Sequence, residues 1–148
     1  MSEAIANLQA AIQRAMAGRP TASGFPYLAE TLRRAGVTRN TWFPPACESL
    51  YLTEAGPVVI QGTPLLSGAA DVPRFDREAL IGALLTDQAG KSTFPEFLLA
   101  SWDAGVVRYD VDLTARAVTY HGCHGEEYVE QYPAVEVPQR ITPLNRRV

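Results

Sequence analysis

The side chains with the most versatile chemistry lie close together towards the end of this 148-residue chain. They are His121, Cys123, His124, Glu126 and Glu127. Zinc binds four such groups (imidazole, thiolate or carboxylate) in a tetrahedron. Neighbours on a strand point to opposite faces, so three candidates within four residues do not surround one ion readily, and a fourth ligand such as Cys47 would come from elsewhere. We interpret the segment as a polar hairpin turn with an incidental thiol, and we predict no metal ion and no cofactor.

The same turn offers a nucleophile and a base, because a histidine beside Cys123 can draw the thiol toward thiolate. Such chemistry also needs an oxyanion hole and a cleft, and nothing nearby indicates either. The sequence contains no glycine-rich phosphate loop, GxSxG, HExxH or CxxC motif. It therefore names no catalytic residue. A small enzyme or metal-dependent protein that uses His121, Cys123 and His124 is the alternative function.

Two arginines, Arg39 and Arg108, each follow a predicted helix-ending glycine by three residues. Guanidinium groups suit carboxylate and phosphate, so the pair could form an anion clamp. The interpretation that we favour is structural: both arginines lie on an exposed strand face and pair with neighbours such as Asp110 or Asp112. Those two aspartates are two residues apart, and we expect them to be solvated charges.

An aromatic and proline-rich segment occurs in the first half of the chain only. It contains Trp42, Phe43, Pro44, Pro45, Cys47 and Tyr51. Exposed aromatic side chains bind partners well. Alternatively, Trp42 and Phe43 alternate along a strand, so that one lies in the core and the other covers a helix end. We predict a binding surface formed by Trp42, Phe43, Cys47, Tyr51, Arg39 and Arg108.

The elements that position these residues occur twice. With an offset of 69 residues, segments 23–39 and 92–108 share seven identities in 17 positions, where unrelated segments would share roughly one. The identical pairs are Ser23/Ser92, Phe25/Phe94, Pro26/Pro95, Ala35/Ala104, Gly36/Gly105, Val37/Val106 and Arg39/Arg108. The sequence predicts a duplicated supersecondary unit.

Each copy is typical of two helices followed by antiparallel strands. The first copy predicts a helix from a Ser2 cap to residue 17, a helix from Pro26 to Ala35, and strands at 38–43, 50–53 and 58–61. The second copy predicts helices at 77–89 and from Phe94, and strands at 106–113, 117–121 and 127–131. The third helix has a predicted buried stripe of Leu80, Ile81, Leu84 and Leu85.

The predicted fold class is α+β, with two pseudo-repeats of helix, helix and antiparallel strands. Four helices would pack on one face of an antiparallel sheet, and a sheet in two pieces is the alternative. We expect one domain over residues 1–137, with repeat halves at about 2–62 and 75–132 and a loose C-terminal tail at 138–148.

The composition limits the kinds of partner. The net charge is −3, which argues against a nucleic-acid partner, and no apolar run approaches the roughly 20 residues that span a bilayer. Two cysteines are too few for a disulfide scaffold, and no signal peptide is evident. We therefore expect a cytoplasmic protein with an unknown protein or small-molecule partner, no membrane partner, and a possible homodimer.

Several strings resemble a known family. They are STFPEF, AGVVRYDVDL, AVTYHGCHGEEYVE and QYPAVEV, with FPYLAETLRRAGVTRN earlier. They are similar to a small bacterial and prophage family of unknown function, often labelled "phage envelope protein", with a YdfO-like α+β fold. The resemblance extends from the first helix to about Val137 and implies a fold and a bacterial setting, without any catalytic residue. We expect a non-enzymatic interaction or ligand-binding module.

Overall fold

The computed structural model describes residues 1–138, and its elements follow the predicted order. The first half contains α1 (Glu3–Gly18), α2 (Gly24–Arg34), β1 (Val37–Phe43), a short 3-10 turn (Pro44–Ala46), β2 (Glu48–Thr53) and β3 (Gly56–Gln61). The second half contains α3 (Arg77–Gln88), α4 (Phe94–Asp103), β4 (Arg108–Asp112), β5 (Ala117–His121) and β6 (Glu127–Gln131). The fold is α+β, as predicted. The predicted tail lies outside the described residues, apart from Pro138.

All six strands form one antiparallel sheet in the order β3-β2-β1-β4-β5-β6. Each half contributes three consecutive strands, and the halves meet where β1 pairs with β4 at the centre. The alternative of a sheet in two pieces is therefore wrong.

The helices of the described chain cover one face of this sheet. Helices α1 and α2 contact β3 and β1. On the other half, Trp42 of β1 packs edge-on against Phe94 of α4 at 4.8 Å, and Arg77 of α3 lies 5.2 Å from the ring of Tyr128 of β6. The largest fully buried apolar residues, between helices and sheet, include Leu8, Leu80, Leu98, Leu113, Val37 and Val106. Burial of this apolar surface is the main favourable contribution to folding.

Helix α2 begins two residues earlier than predicted. Ser23, with φ of 54°, precedes Gly24 as the first helical residue, so Pro26 occupies the third position. Amides of the first turn have no partner within a helix, and the missing N–H of Pro26 therefore breaks no helical hydrogen bond. Glu30, later in the same helix, lies on its buried side, with an exposure of only 5%.

One of the core residues predicted for α3 is wrong. Leu80 and Leu84 are buried, whereas Leu85 is 61% exposed. The helix has only one narrow stripe against the sheet, and Leu85 lies just outside it.

Positive φ recurs at three pairs of positions that are 69 residues apart. The residues with positive φ include the pairs Gly36 and Gly105, Cys47 and Arg116, and Gly56 and Gly125. The β1–β2 and β4–β5 connections, 44–47 and 113–116, also have the same length, so the proline-rich segment inserts no residues. These coincidences support the duplication, which stays a prediction from the sequence.

Candidate functional site: the open face of the sheet

The side of the sheet that the helices leave uncovered is called the open face here. It presents Arg39, Thr41 and Phe43 in β1 and the alternate residues that pair with them in the neighbouring strands. In β2 and β3 these are Glu48, Leu50, Leu52, Pro57, Val59 and Gln61. In β4, β5 and β6 they are Arg108, Asp110, Asp112, Ala117, Thr119, His121, Glu127, Val129 and Gln131. One half of the open face is therefore largely apolar and the other largely polar.

A hydrogen-bonded carboxylate occupies the centre of the open face. The Thr41 hydroxyl donates to Oδ1 of Asp110 at 2.6 Å, and these two residues are cross-strand partners in the β1–β4 pair. The second oxygen, Oδ2, lies 3.2 Å from His121 Nε2 and 3.4 Å from Arg108 Nε. The side chain of Asp110 is only 19% exposed. The expectation of a solvated charge is therefore wrong for Asp110.

His121 connects this centre to the edge strand. Its Nδ1 atom lies 3.5 Å from a carboxylate oxygen of Glu127, so the ring lies between two carboxylates. Cys123 and His124 follow in an exposed turn, where the His124 amide donates to Glu126 at 2.9 Å. The structure thus places His121 at the end of β5 and Cys123 and His124 in the turn that follows. Within residues 1–138, no group of three or more His, Cys, Asp or Glu side chains is arranged to hold a metal ion.

The two arginines of the proposed anion clamp both lie on the open face and both have an aspartate neighbour. Arg39 lies 3.6 Å from Asp112, and Arg108 lies 3.4 Å from Asp110. This matches the structural interpretation of the arginines. An external anion would have to compete with these intramolecular carboxylates.

The predicted aromatic surface is divided between the two faces. Tyr51 is 5% exposed in the core, where burial raises the pKa of its hydroxyl. Trp42 stacks near Tyr109, and its indole N–H donates to Asn40 at 2.8 Å. Because the register pairs Asn40 with Tyr51, all these side chains lie on the helix-covered face. Tyr51 is therefore a core residue and Trp42 packs, partly buried, against the core, which corrects their assignment to one exposed binding surface.

The other predicted binding residues lie elsewhere. Phe43 is on the open face and is partly buried, so Trp42 and Phe43 do alternate along β1. Cys47 is a partly buried free cysteine at the β1–β2 connection, with φ of 49°. Of the predicted set, only Arg39, Phe43 and Arg108 share the open face.

The most exposed apolar residues of the sheet were not among the predicted site residues. Val59 is 58% exposed, Val129 54% and Leu52 39%, and all three lie on the open face. The available signal was weak, because Leu50, Tyr51 and Leu52 are all apolar and an alternating pattern cannot show which side is buried.

Of two surface cavities, one lies away from the open face and the other reaches its edge at Gln61. One, of about 710 Å³, lies between α1 and α2 and extends to Pro138. Its Arg34 already donates to the Val137 carbonyl at 3.1 Å and to Glu30 at 3.0 Å. The other, of about 500 Å³, lies between Pro45 and Trp102. Neither cavity includes His121, Cys123 or His124 in its lining.

Replacement of Thr41 by valine tests the central hydrogen bond. We expect Thr41→Val to lower the free energy of unfolding by about 1 to 2 kcal/mol, because a hydrogen bond to a carboxylate is lost while the shape is kept. The matched control is Thr119→Val, since Thr119 is the cross-strand partner of Asp110 on β5 but donates no hydrogen bond to it in the described chain. Urea unfolding of both variants gives the comparison. Equal effects would show that the bond to Asp110 contributes nothing.

Comparisons with known proteins place the chain in a bacterial family. Uncharacterized protein Rv2012 of Mycobacterium tuberculosis is 58% identical over 136 residues, which are 92% of this chain and 83% of that protein. Uncharacterized protein Mb2035 of Mycobacterium bovis shows the same identity and coverage. The chain belongs to the family of these mycobacterial proteins. No family model matches it, and the resemblance to proteins labelled "phage envelope protein" stays a prediction.

Across residues 1–138, the helices are all too short or too polar to cross a bilayer.

Proposed function

We propose that this protein is a non-enzymatic interaction module that binds a partner through the open face of its sheet. The observation that carries the proposal is the exposure of Val59, Val129 and Leu52 on a face that no described helix covers. Leu52 and Val59 lie on the adjacent strands β2 and β3 beside Leu50 and Pro57, whereas Val129 lies at the opposite edge of the sheet. A contiguous apolar patch left exposed on a folded domain marks an interaction site. A cytoplasmic location is part of the same proposal.

The charges of the open face also support a binding role. Arg39 and Arg108 each have an aspartate within 4 Å, and His121 lies between two carboxylates. A partner that covers the two arginines would bury charges that already have neighbours of opposite sign. Burial of an unpaired charge is costly, and burial of a paired charge is much less so. Cys123 is exposed, and the two cavities described above have neither Cys123 nor a histidine in their linings, which gives the enzyme alternative no support from a cleft.

Photo-crosslinking in living cells tests this function. A photoreactive amino acid at position 59 is expected to give a covalent adduct, because the Val59 side chain would contact the partner. The control position is Leu85, which is equally exposed but lies on α3 outside the open face. Absence of adducts at position 59, or equal adducts at 59 and 85, would count against the open face as a binding site.

A further inference from the structure

The side chains of the open face lie in rows that cross all six strands. The central row contains Val59, Leu50, Thr41, Asp110, Thr119 and Val129. A second row contains Pro57, Leu52, Arg39, Asp112, Ala117 and Gln131. Each row begins with apolar residues on β3 and β2 and becomes polar near the β1–β4 boundary. The central row ends in an exposed valine on both edge strands.

We propose that the partner is a second copy of this chain, related to the first by a two-fold axis that runs parallel to the strands between β1 and β4. This inference rests on the proposed function of the open face. The rotation places β1 over β4 of the second copy, β2 over β5 and β3 over β6. Each contact then occurs twice, as in every two-fold interface.

The central row is complementary to itself under this rotation. Val59 lies over Val129 of the second copy, and these valines are the most exposed apolar side chains of the sheet. Thr41 lies over Asp110 of the second copy, so the two hydrogen-bonded Thr41–Asp110 pairs face each other. In the central row the valines meet at both edges, Leu50 lies over Thr119 of the second copy, and the polar centre meets a polar centre.

The charged positions are complementary as well. Arg39 lies over Asp112 of the second copy, which places opposite charges face to face, and Glu48 lies over the imidazole of His121. Leu52 lies over Ala117, which keeps a second apolar contact beside the arginine. Opposite charges that face each other fix the orientation of two surfaces, whereas like charges exclude it.

A two-fold axis perpendicular to the strands does not give this match. It would place every strand over its own copy, and Asp110 at the centre would then face Asp110. It would also place the β6 residues Glu127 and Val129 over β6 of the second copy. Repulsion between the two central carboxylates disfavours that arrangement.

The area of the open face is sufficient for a specific dimer. Six strands about 4.8 Å apart and five residues of about 3.4 Å give roughly 500 Å² on each copy, or about 1,000 Å² in total. That value is at the lower limit for specific interfaces, so we expect a dimer in the micromolar range.

Pairing at the sheet edges is less favourable than pairing at the open face. The edge strand β3 contains Pro57, and the edge strand β6 contains Glu127 and Glu130. Proline and charged residues are the types that protect edge strands from pairing with another chain. The face, not the edge, is therefore the surface for a second copy.

The mass in solution tests the dimer. Analytical ultracentrifugation of the full chain is expected to show a species of twice the 16.1 kDa monomer at micromolar concentration. Val59→Asp should raise the dissociation constant by about a hundredfold, because a charge replaces an apolar contact at two places. Leu85→Asp, an equally exposed change outside the open face, should leave the constant unchanged. Circular dichroism establishes that both variants are folded.

Chemical cross-linking tests the axis. With Cys47 and Cys123 replaced by serine, Val59→Cys and Val129→Cys variants are mixed and treated with a bismaleimide that spans about 10 Å, the distance between packed sheets. The mixture is expected to give a dimer adduct. Val59→Cys alone should not, because the two copies of position 59 lie at opposite edges, about 24 Å apart.

The outcomes separate this inference from the proposed function. A protein that stays monomeric at high micromolar concentration overturns the second copy as partner. A cellular adduct between position 59 and a different protein also overturns it, but supports the binding role of the open face. Cross-linking of Val59→Cys to itself but not to Val129→Cys overturns the axis. Absence of any adduct at position 59 overturns both proposals.

Discussion

Gly105→Ala is expected to destabilise the fold by about 4 kcal/mol, far more than Gly36→Ala at the equivalent position of the first half. Both glycines have positive φ, +88° and +97°, so alanine suffers similar backbone strain of about 1 to 2 kcal/mol at each. Only at Gly105 would the new methyl group lie 2.5 to 2.7 Å from backbone atoms of Phe75 and Arg74. At Gly36 its nearest neighbour would be the side chain of Glu54 at 3.5 Å.

The difference between the two variants measures how closely the segment before α3 packs on the end of α4. Asp76 donates its backbone N–H to the Ala104 carbonyl at 2.8 Å, which fixes the segment in place. Chemical denaturation of wild type, Gly36→Ala and Gly105→Ala gives the comparison. Equal losses of stability for the two variants would contradict this close packing.

Glu30→Gln is expected to lower stability by about 2 kcal/mol at neutral pH, with a loss that depends on pH. Glu30 accepts hydrogen bonds from Arg33 at 2.7 and 3.0 Å and from Arg34 at 3.0 Å, and Arg116 lies 3.6 Å away. The bidentate hydrogen bonds from Arg33, with the one from Arg34, lower the pKa of Glu30 from 4.5 to about 2. That shift corresponds to about 3 kcal/mol, and solvent screening at the partly exposed arginines reduces it to about 2 kcal/mol.

The sign of the pH dependence follows from the lowered pKa. The stabilisation is fully present above pH 4.5, the unfolded value, and is lost as the pH falls toward 2. The stability difference between wild type and Glu30→Gln should therefore shrink by about half at pH 3. Urea unfolding at pH 7 and pH 3 measures it, with Glu78→Gln on the exposed side of α3 as the control for loss of one negative charge. A difference that stays constant with pH would refute the role of Glu30.

The order and type of the elements could be predicted from the sequence because strong local signals set their limits. Glycine ends the helices at Gly36 and Gly105, and Pro44 follows the last residue of β1. These effects act within a few residues, so sequence spacing reports them directly. The shared elements of the two halves follow from the same signals.

The content of the open face could not be predicted in the same way. In β2 the neighbours Leu50, Tyr51 and Leu52 are all apolar, and the choice of buried face depends on which side the helices cover. The same holds for Trp42 and Phe43 in β1. Tertiary packing decides both choices, and a local pattern does not contain that information.

Two buried polar contacts also could not be predicted from the sequence pattern. Glu30 lies 3.6 Å from Arg116, which is far along the chain in the β4–β5 connection. Asp110 is half-buried because Thr41 and His121 lie on the strands at either side of it. Both contacts depend on which strands become neighbours, so the structure was needed to find them.

The position of the β1–β4 pair has a consequence for the order of folding events. The four other strand pairs join strands that follow each other in the chain, whereas β1 and β4 bring together residues 69 positions apart, such as Thr41 and Asp110. Closure of a long loop costs more chain entropy than formation of a hairpin. Each three-stranded meander should therefore form early, and formation of the β1–β4 pair at the centre of the sheet should limit the folding rate.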